Sequence, residues 1–327
     1  MRGDCIRQRL KFEKPSRSFE LPMDALSDIL SLLKVGNPVS RQLVGGGAWC
    51  LDFPAYTGLK FNAVVEGACW VQLEGQDAPI RCGPGSCFLM ARGTPFRMWS
   101  CPDAEPQDAA KVFGSASGEG IARINGETGF SLFGSRFVCE GPNAGVLLSA
   151  LPAIAFLTGE RDRSKLLFLL QTIREELLEA EPGSVLATEY LGHMMLIQAL
   201  RLYFRDAHNR EGWLPALADR RIGKAINLMH EEPARKWTLQ DLAEAVGMSR
   251  TSFAVRFREK VGVSAIDYLL RWRISLAKDY LARRSASITT ISFDLGYESE
   301  SAFGAAFKRS VGCSPRAYSR SVVRPNE

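Results

Sequence analysis

Two runs of this chain place arginine, lysine, serine and threonine at helical spacing beside paired phenylalanines. They are GMSRTSFAVRFREKVGVS (residues 247–264) and GYESESAFGAAFKRSVGCS (residues 296–314). Arginine and threonine at the start of a helix can hydrogen-bond base edges, and later arginines and lysines can contact phosphates. That is recognition chemistry, in which no bond is made or broken. The residue types that break bonds are scattered. His193, His208 and His230 have no triad partner, and no Gly-x-Ser-x-Gly elbow is present. The eight cysteines show neither CxxC pairs nor metal-ligand spacing. GGG at 45–47 and SGEG at 117–120 lack the strand–helix context and the lysine of a phosphate cradle. The sequence thus implies no catalytic residue, no metal and no cofactor.

The two basic runs are copies. Phe253, Phe257, Gly262, Ser264 and Tyr268 match Phe303, Phe307, Gly312, Ser314 and Tyr318 at a constant offset of 50. Upstream, Leu242, Val246 and Gly247 match Ile291, Leu295 and Gly296 at an offset of 49. Each copy predicts helix, turn, helix, over about 238–260 and 287–310. Thr238 with Asp241 reads as a capping box, Gly247 as the left-handed residue ending the first helix, and Ser249 as the cap of the second. Phe253 and Phe257 then face the core, leaving the opposite face of the second helix free. Between the copies a helix is expected from Ser264 to Arg284. Its span of roughly 30 Å compares with the ~34 Å between successive major grooves on one face of B-DNA.

The elements that must position these helices follow from texture and charge. Net charge is +5, yet residues 219–327 hold 19 Lys+Arg against 12 Asp+Glu, so all of the positive excess lies in the last third. From 39 to 140 short apolar runs alternate with glycine and proline, the pattern of a small β-barrel or sandwich. Residues 142–210 read as helical, with wide apolar stripes over 163–180 and 184–207 that predict packing on each other and on a second subunit. The domain expectation is a flexible segment at 1–20, a β-rich domain at 21–141, a helical dimerisation segment at 142–210 and a helical domain at 217–321. No apolar run spans a membrane and residues 1–14 do not read as a secretory signal, so a cytoplasmic protein without membrane contact is expected.

Residues 238–320 resemble the DNA-binding domain of the AraC/XylS family, most closely through GYESESAFGAAFKRSVGCSPRAYSR. The resemblance implies a transcription regulator, an activator more often than a repressor, bound to double-stranded promoter or operator DNA with RNA polymerase as partner. By the family's docking, the base-facing positions fall on Arg250, Thr251, Ala254 and Val255, and on Glu300, Ser301, Gly304 and Ala305. Arg258, Lys260, Arg273, Lys308, Arg309 and Arg316 become candidate phosphate contacts. The β-rich region resembles a cupin-type sensor through GPGSCFLMARGTPF, with Phe96 where a metal-binding histidine would stand and no histidine before His193. The whole is therefore an α+β multidomain chain: a β-barrel or jelly-roll sensor, then an all-α domain with two helix-turn-helix units. A metal-free pocket for an unknown small-molecule effector is expected among Trp49, Phe53, Lys60, Phe61, Trp70, Phe96 and Arg97; Arg81 is a further candidate. Two other classes stay open: thiol sensing through Cys82 and Cys101, and an architectural DNA binder without effector.

Overall fold

A computed structural model describes residues 24–322, apart from 34, 37, 115–119, 127, 140, 158–159, 180 and 207–211. The segment expected to be flexible, 1–20, lies outside the described residues. Helix α1 (Ala25–Leu33) leads into the β region. There the short alternating runs become β1 (Val39–Gly45), β2 (Cys50–Phe53), β3 (Leu59–Glu66), β4 (Cys69–Leu73), β5 (Ile80–Cys82), β6 (Cys87–Met90), β7 (Phe96–Trp99) and β8 (Pro106–Asp108). After α2 (Ala109–Gly114) come β9 (Ile121–Ile124), β10 (Phe130–Phe137), α3 (Ala144–Ala150) and β11 (Ile154–Leu157).

The strands form a six-stranded sheet, β11-β6-β3-β10-β1-β9, and a five-stranded sheet, β5-β4-β7-β2-β8. They are mixed, since β9 and β8 add in parallel to otherwise antiparallel neighbours. The expected barrel is not closed. No strand is shared between the sheets, and β5 and β8, at three residues each, are too short to carry one sheet round into the other. The expectation of an all-helical segment from 142 to 210 also fails at one place. Ile154–Leu157 pairs antiparallel with β6, extending the larger sheet.

The larger sheet is covered on both faces. On β3, Phe61 and Ala63 point to a core shared with helices, whereas Val64 points into the core between the sheets. The covering helices are α4 (Glu160–Glu179) and α5 (Ser184–Asp206), an antiparallel pair whose buried sides carry Leu166, Leu170, Ile173, Met195 and Ala199. Their outer sides leave Phe168, Val185 and Tyr190 at 67%, 86% and 65% exposure.

The C-terminal part is helical: α6 (Trp213–Ala216), α7 (Arg220–Glu231), α8 (Leu239–Ala245), α9 (Arg250–Val261), α10 (Ala265–Arg283), α11 (Ile288–Asp294), α12 (Glu300–Val311) and α13 (Pro315–Val322). The first half closes over Phe253 and Phe257, the second over Phe303 and Phe307, and α10 contributes to both cores. Helix α1 reaches across to this domain. Ala25 is buried in the first of these cores, and its N–H donates to Asn227 Oδ1 at 3.0 Å.

Candidate nucleic-acid interface

Helices α9 and α12 are each set by their own caps. Thr238 Oγ1 accepts from the Asp241 N–H at 3.1 Å, while the Asp241 carboxylate accepts from the Thr238 N–H at 2.9 Å. Gly247 ends α8 at φ +66°, and Ser249 Oγ accepts from the Ser252 N–H to start α9. The second unit repeats the pattern: Ser287 caps α11, Gly296 sits at φ +76°, and Ser299 caps α12. Phe253 and Phe257 are fully buried with centroids 5.6 Å apart, and Phe303 and Phe307 repeat this at 5.7 Å.

That packing turns the opposite faces outward. Arg250, Thr251 and Val255 are exposed and Ala254 is half-buried on α9; Glu300, Ser301 and Ala305 are exposed and Gly304 is half-buried on α12. The Glu300 carboxylate accepts from the Thr289 hydroxyl, so part of its bonding capacity is used within its own unit. Arg258, Lys308, Arg309 and Arg316 are exposed, whereas Lys260 is half-buried.

Arg273 does not point at a phosphate. Its Nε donates to the Pro233 carbonyl at 2.7 Å and its Nη2 to the Arg235 carbonyl at 2.9 Å, with the guanidinium 5.7 Å from the Tyr297 ring centre. Burial lowers its pKa, the mark of a cation drawn inward. The position follows from α10 lying between the units, so its polar side chains serve whichever loop passes over them. The loop at 232–237 is held against the second unit in two further ways. Lys236 Nζ lies 2.7 Å from Glu298 Oε1, and a Cβ at Gly296 would stand 2.1 Å from the Ala234 carbonyl oxygen. Arg256, within α9, turns back instead of facing outward: its Nη2 donates at 2.7 Å to Asp219, the cap of α7. An arginine two residues before Arg258 carried no sequence signal for that role.

Residues 24–205 match the family described as Cupin, and residues 242–321 match the one described as Helix-turn-helix domain. A putative AraC-like transcription regulator of Streptomyces lividans is 37% identical over 305 residues, covering 93% of this chain and 100% of that protein. The chain belongs to the AraC-like transcription regulators. A putative AraC-like regulator of Streptomyces antibioticus is 38% identical, covering 90% of this chain and 98% of that protein. The RCS-specific transcriptional activator RclR of Escherichia coli is 26% identical, covering 92% and 98%. Among solved structures, the DNA-binding domain of AdpA in complex with a target DNA is 26% identical, covers 30% of this chain and 89% of that one, and has a TM-score of 0.29.

The cupin domain of this AraC-like regulator scatters the residues expected to line one pocket. Trp49 packs on Phe130 in the core between the sheets. Phe61 lies on the opposite face of its sheet, in the core under α4 and α5. Trp70 points outward, because its neighbours Cys69 and Val71 point in, and Arg97 pairs with Asp52 on the outside. Phe53, Lys60 and Phe96 do come together. Phe53 and Phe96 stack at 4.3 Å, and Lys60 Nζ lies 5.1, 4.2 and 4.9 Å from the rings of Phe53, Tyr56 and Phe96. Burial, helped by Arg136, lowers the Lys60 pKa to about 8.

Of the two candidate redox thiols, Cys82 is wholly buried and Cys101 half-buried. Cys82 stands directly opposite Cys69 across β4 and β5. A hydrogen bond between the two thiols holds the Cys82 pKa down and, with burial, pushes that of Cys69 up. No helix among the described residues is long and apolar enough to cross a membrane.

Proposed function

We propose that this regulator is a sequence-specific activator that binds promoter DNA as a homodimer, recruits RNA polymerase and is controlled by a small molecule. The reading rests on the pair of matched helices, α9 and α12, whose unburied faces carry the same relative positions on either side of α10. The first helix reads bases through Arg250 and Thr251, with Val255 available to a thymine methyl. The second brings only Ser301 as a free small reader, because Gly304 and Ala305 have no hydrogen-bonding side chain. Its contribution is close backbone approach, with Lys308, Arg309 and Arg316 on phosphates. Dimerisation through α4 and α5 is favoured by the exposed apolar strip of Phe168, Val185 and Tyr190. The naming of RclR as an activator supports that sense of control here. The test is a set of selected binding sites with each half-site randomised in turn. Arg250→Ala should flatten base preference in one half-site while leaving binding to random DNA nearly unchanged; equal losses on both DNAs would remove it from base reading.

A second reading is favoured by the facing Cys69 and Cys82 thiols. Residues directly opposite in an antiparallel pair have Cα atoms roughly 4.5–5.5 Å apart, within disulfide range. A peroxide or hypohalous acid would take two electrons from the pair, two protons would leave and one S–S bond would form. Peptide mapping after hypochlorite treatment tests it. A 69–82 link that changes DNA binding supports thiol sensing; wild-type DNA binding in oxidised protein rules it out.

A further inference from the structure

Strand β3 carries Lys60 on the face that it turns toward the smaller sheet. Alternation along the strand puts Lys60, Asn62 and Val64 on one side, and Val64 lies in the core between the sheets. In register beside Lys60 stand Met90 of β6, in the same core, and Arg136 of β10, which is exposed. Lys60 is itself half-buried, so it sits where that core meets solvent.

Its surroundings suit an ammonium poorly. Nζ lies 5.1, 4.2 and 4.9 Å from the ring centres of Phe53, Tyr56 and Phe96, and among the described residues it has no hydrogen bond and no ion pair. Ring faces attract its charge but are weak acceptors for its three N–H donors. The charged groups nearby do not help. The Asp52 carboxylate is held by Arg97 at 2.6 Å on the outside, burial keeps the Tyr56 phenol protonated, and Arg136 is a like charge. Burial and Arg136 together lower the Lys60 pKa to about 8. At pH 7 about a tenth of such amines are neutral, against roughly one in 2,500 for an ordinary lysine. Nζ is also reachable, since it is not among the unpartnered side-chain atoms closed to solvent. Phe53 and Phe96 line a cleft of about 660 Å³, whose wall includes Pro54, Leu73 and Pro95.

We propose that Lys60 captures small apolar aldehydes as a covalent iminium, and that this capture is one form of the small-molecule control. The second part rests on the reading of a ligand-controlled regulator; the capture itself does not. The ammonium first gives a proton to water. Neutral Nζ then adds to the carbonyl carbon, forming the C–N bond, and the carbonyl oxygen takes up a proton. The carbinolamine loses water as its C–O bond breaks, leaving a protonated C=N. Overall, ammonium and aldehyde become iminium and water, with no oxidant or reductant. The positive charge stays among the three rings, while three unpartnered N–H donors become one. The aldehyde's apolar body lies against Phe53 and Phe96, which keep water from hydrolysing the bond.

The experiment uses full-length protein, benzaldehyde as the probe, benzyl alcohol as its carbonyl-free analogue, and cyanoborohydride to reduce the iminium to a stable benzylamine. Peptide mapping after brief exposure at pH 7 should show Lys60 labelled about tenfold or more faster than any other lysine. Arg136→Gln should slow this labelling several-fold at pH 7 and hardly at pH 9.5, where Lys60 is neutral in both proteins; a purely structural Lys60 moves neither. Without reductant, benzaldehyde should change affinity for a selected DNA site by about fivefold or more in wild type and not in Lys60→Arg, which keeps the cation among the rings. Benzyl alcohol should change neither. Uniform labelling of the lysines overturns capture at Lys60 and leaves ligand control standing. Labelling at Lys60 with unchanged DNA affinity refutes control through it. An effect of benzaldehyde that persists in Lys60→Arg, or that benzyl alcohol reproduces, overturns the covalent step while ligand control holds. Circular dichroism of each variant separates lost capture from lost folding.

Discussion

Gly247 and Gly296 occupy the same place in the two units, and replacing each with alanine tests whether the units form one rigid body. Both have left-handed backbone, at φ +66° and +76°. Alanine in that region costs about 1–2 kcal/mol. At Gly247 the new methyl group meets nothing within 4 Å, so that cost is the whole effect. At Gly296 it would lie 2.1 Å from the Ala234 oxygen and 2.7 Å from its carbonyl carbon, both backbone atoms. The loop at 232–237 must then retreat by more than an ångström. Doing so breaks the two bonds by which Arg273 holds the Pro233 and Arg235 carbonyls, worth about 1.5–3 kcal/mol each for a charged donor. The exposed Lys236–Glu298 pair adds little. Gly296→Ala should therefore cost about 4–8 kcal/mol against about 1–2 for Gly247→Ala. Thermal unfolding followed by circular dichroism should show a drop of roughly 4–16 °C for Gly247→Ala and a far larger one, or no folded DNA-binding domain, for Gly296→Ala. Arg273→Ala gives a milder form of the same loosening. On DNA with one base pair inserted between half-sites, it should lose less affinity than wild type does. Equal thermal losses for the two glycine variants, or an unchanged spacing preference in Arg273→Ala, would refute the clamp.

Other outcomes follow from single contacts. Lys308→Ala should lower the slope of log affinity against log salt by about 1, measured by titration at several ionic strengths; an unchanged slope removes it from the phosphate contacts. His230 is buried against Trp272, with Tyr268 at 2.9 Å and the Asp28 carboxylate at 3.3 Å. Burial lowers its pKa, and Asp28 only partly offsets this. The unfolded chain therefore takes up a proton near pH 6.5 that the folded chain refuses, and stability falls as pH drops below that value. Urea midpoints at pH 7.5 and 5.5 should show this fall, and His230→Gln should lessen it. Tyr190→Asp with Phe168→Asp should shift the sedimenting species to monomer and remove any dependence of the unfolding midpoint on protein concentration, with circular dichroism unchanged because both side chains are exposed on the single chain.

The two helix-turn-helix units were legible because two independent signals agreed. The repeat at a fixed offset aligned Phe253 with Phe303, and the serine and glycine caps set the ends to within a residue. The placement of the residues expected to line a pocket was not legible, and the reason is the sheet that carries Phe61. A strand covered on one face alternates, so its inward residues can be counted off. β3 is covered by helices on one side and by a second sheet on the other, so Phe61 and Val64 are both buried but in different cores. Nothing in LKFNAVVE tells them apart. Arg273 misleads for a related reason: its exposure depends on a loop forty residues earlier in the chain. The strand at 154–157 was hidden by four apolar residues that fit helix or strand equally well until β6 offers an edge.

The clamp limits how a signal could reach DNA. A regulator can change the distance between its two readers, or it can move them as one body. Arg273, Gly296 and the Lys236–Glu298 pair hold the units together through the loop at 232–237. Changing their separation would break several of these contacts at once. The contacts between the domains include Ala25 in the first core, Asp28 on His230, Asn143 on Ser275, and Leu214 of α6 with Trp272 of α10 in the core under α4 and α5. These contacts fall on α6, α7 and α10. A change at those contacts would tilt the two helix-turn-helix units together relative to the cupin domain while leaving their spacing intact. It should therefore change affinity for a fixed operator, or the angle between the two DNA-binding domains of a dimer, without changing which spacing of half-sites is preferred within one chain.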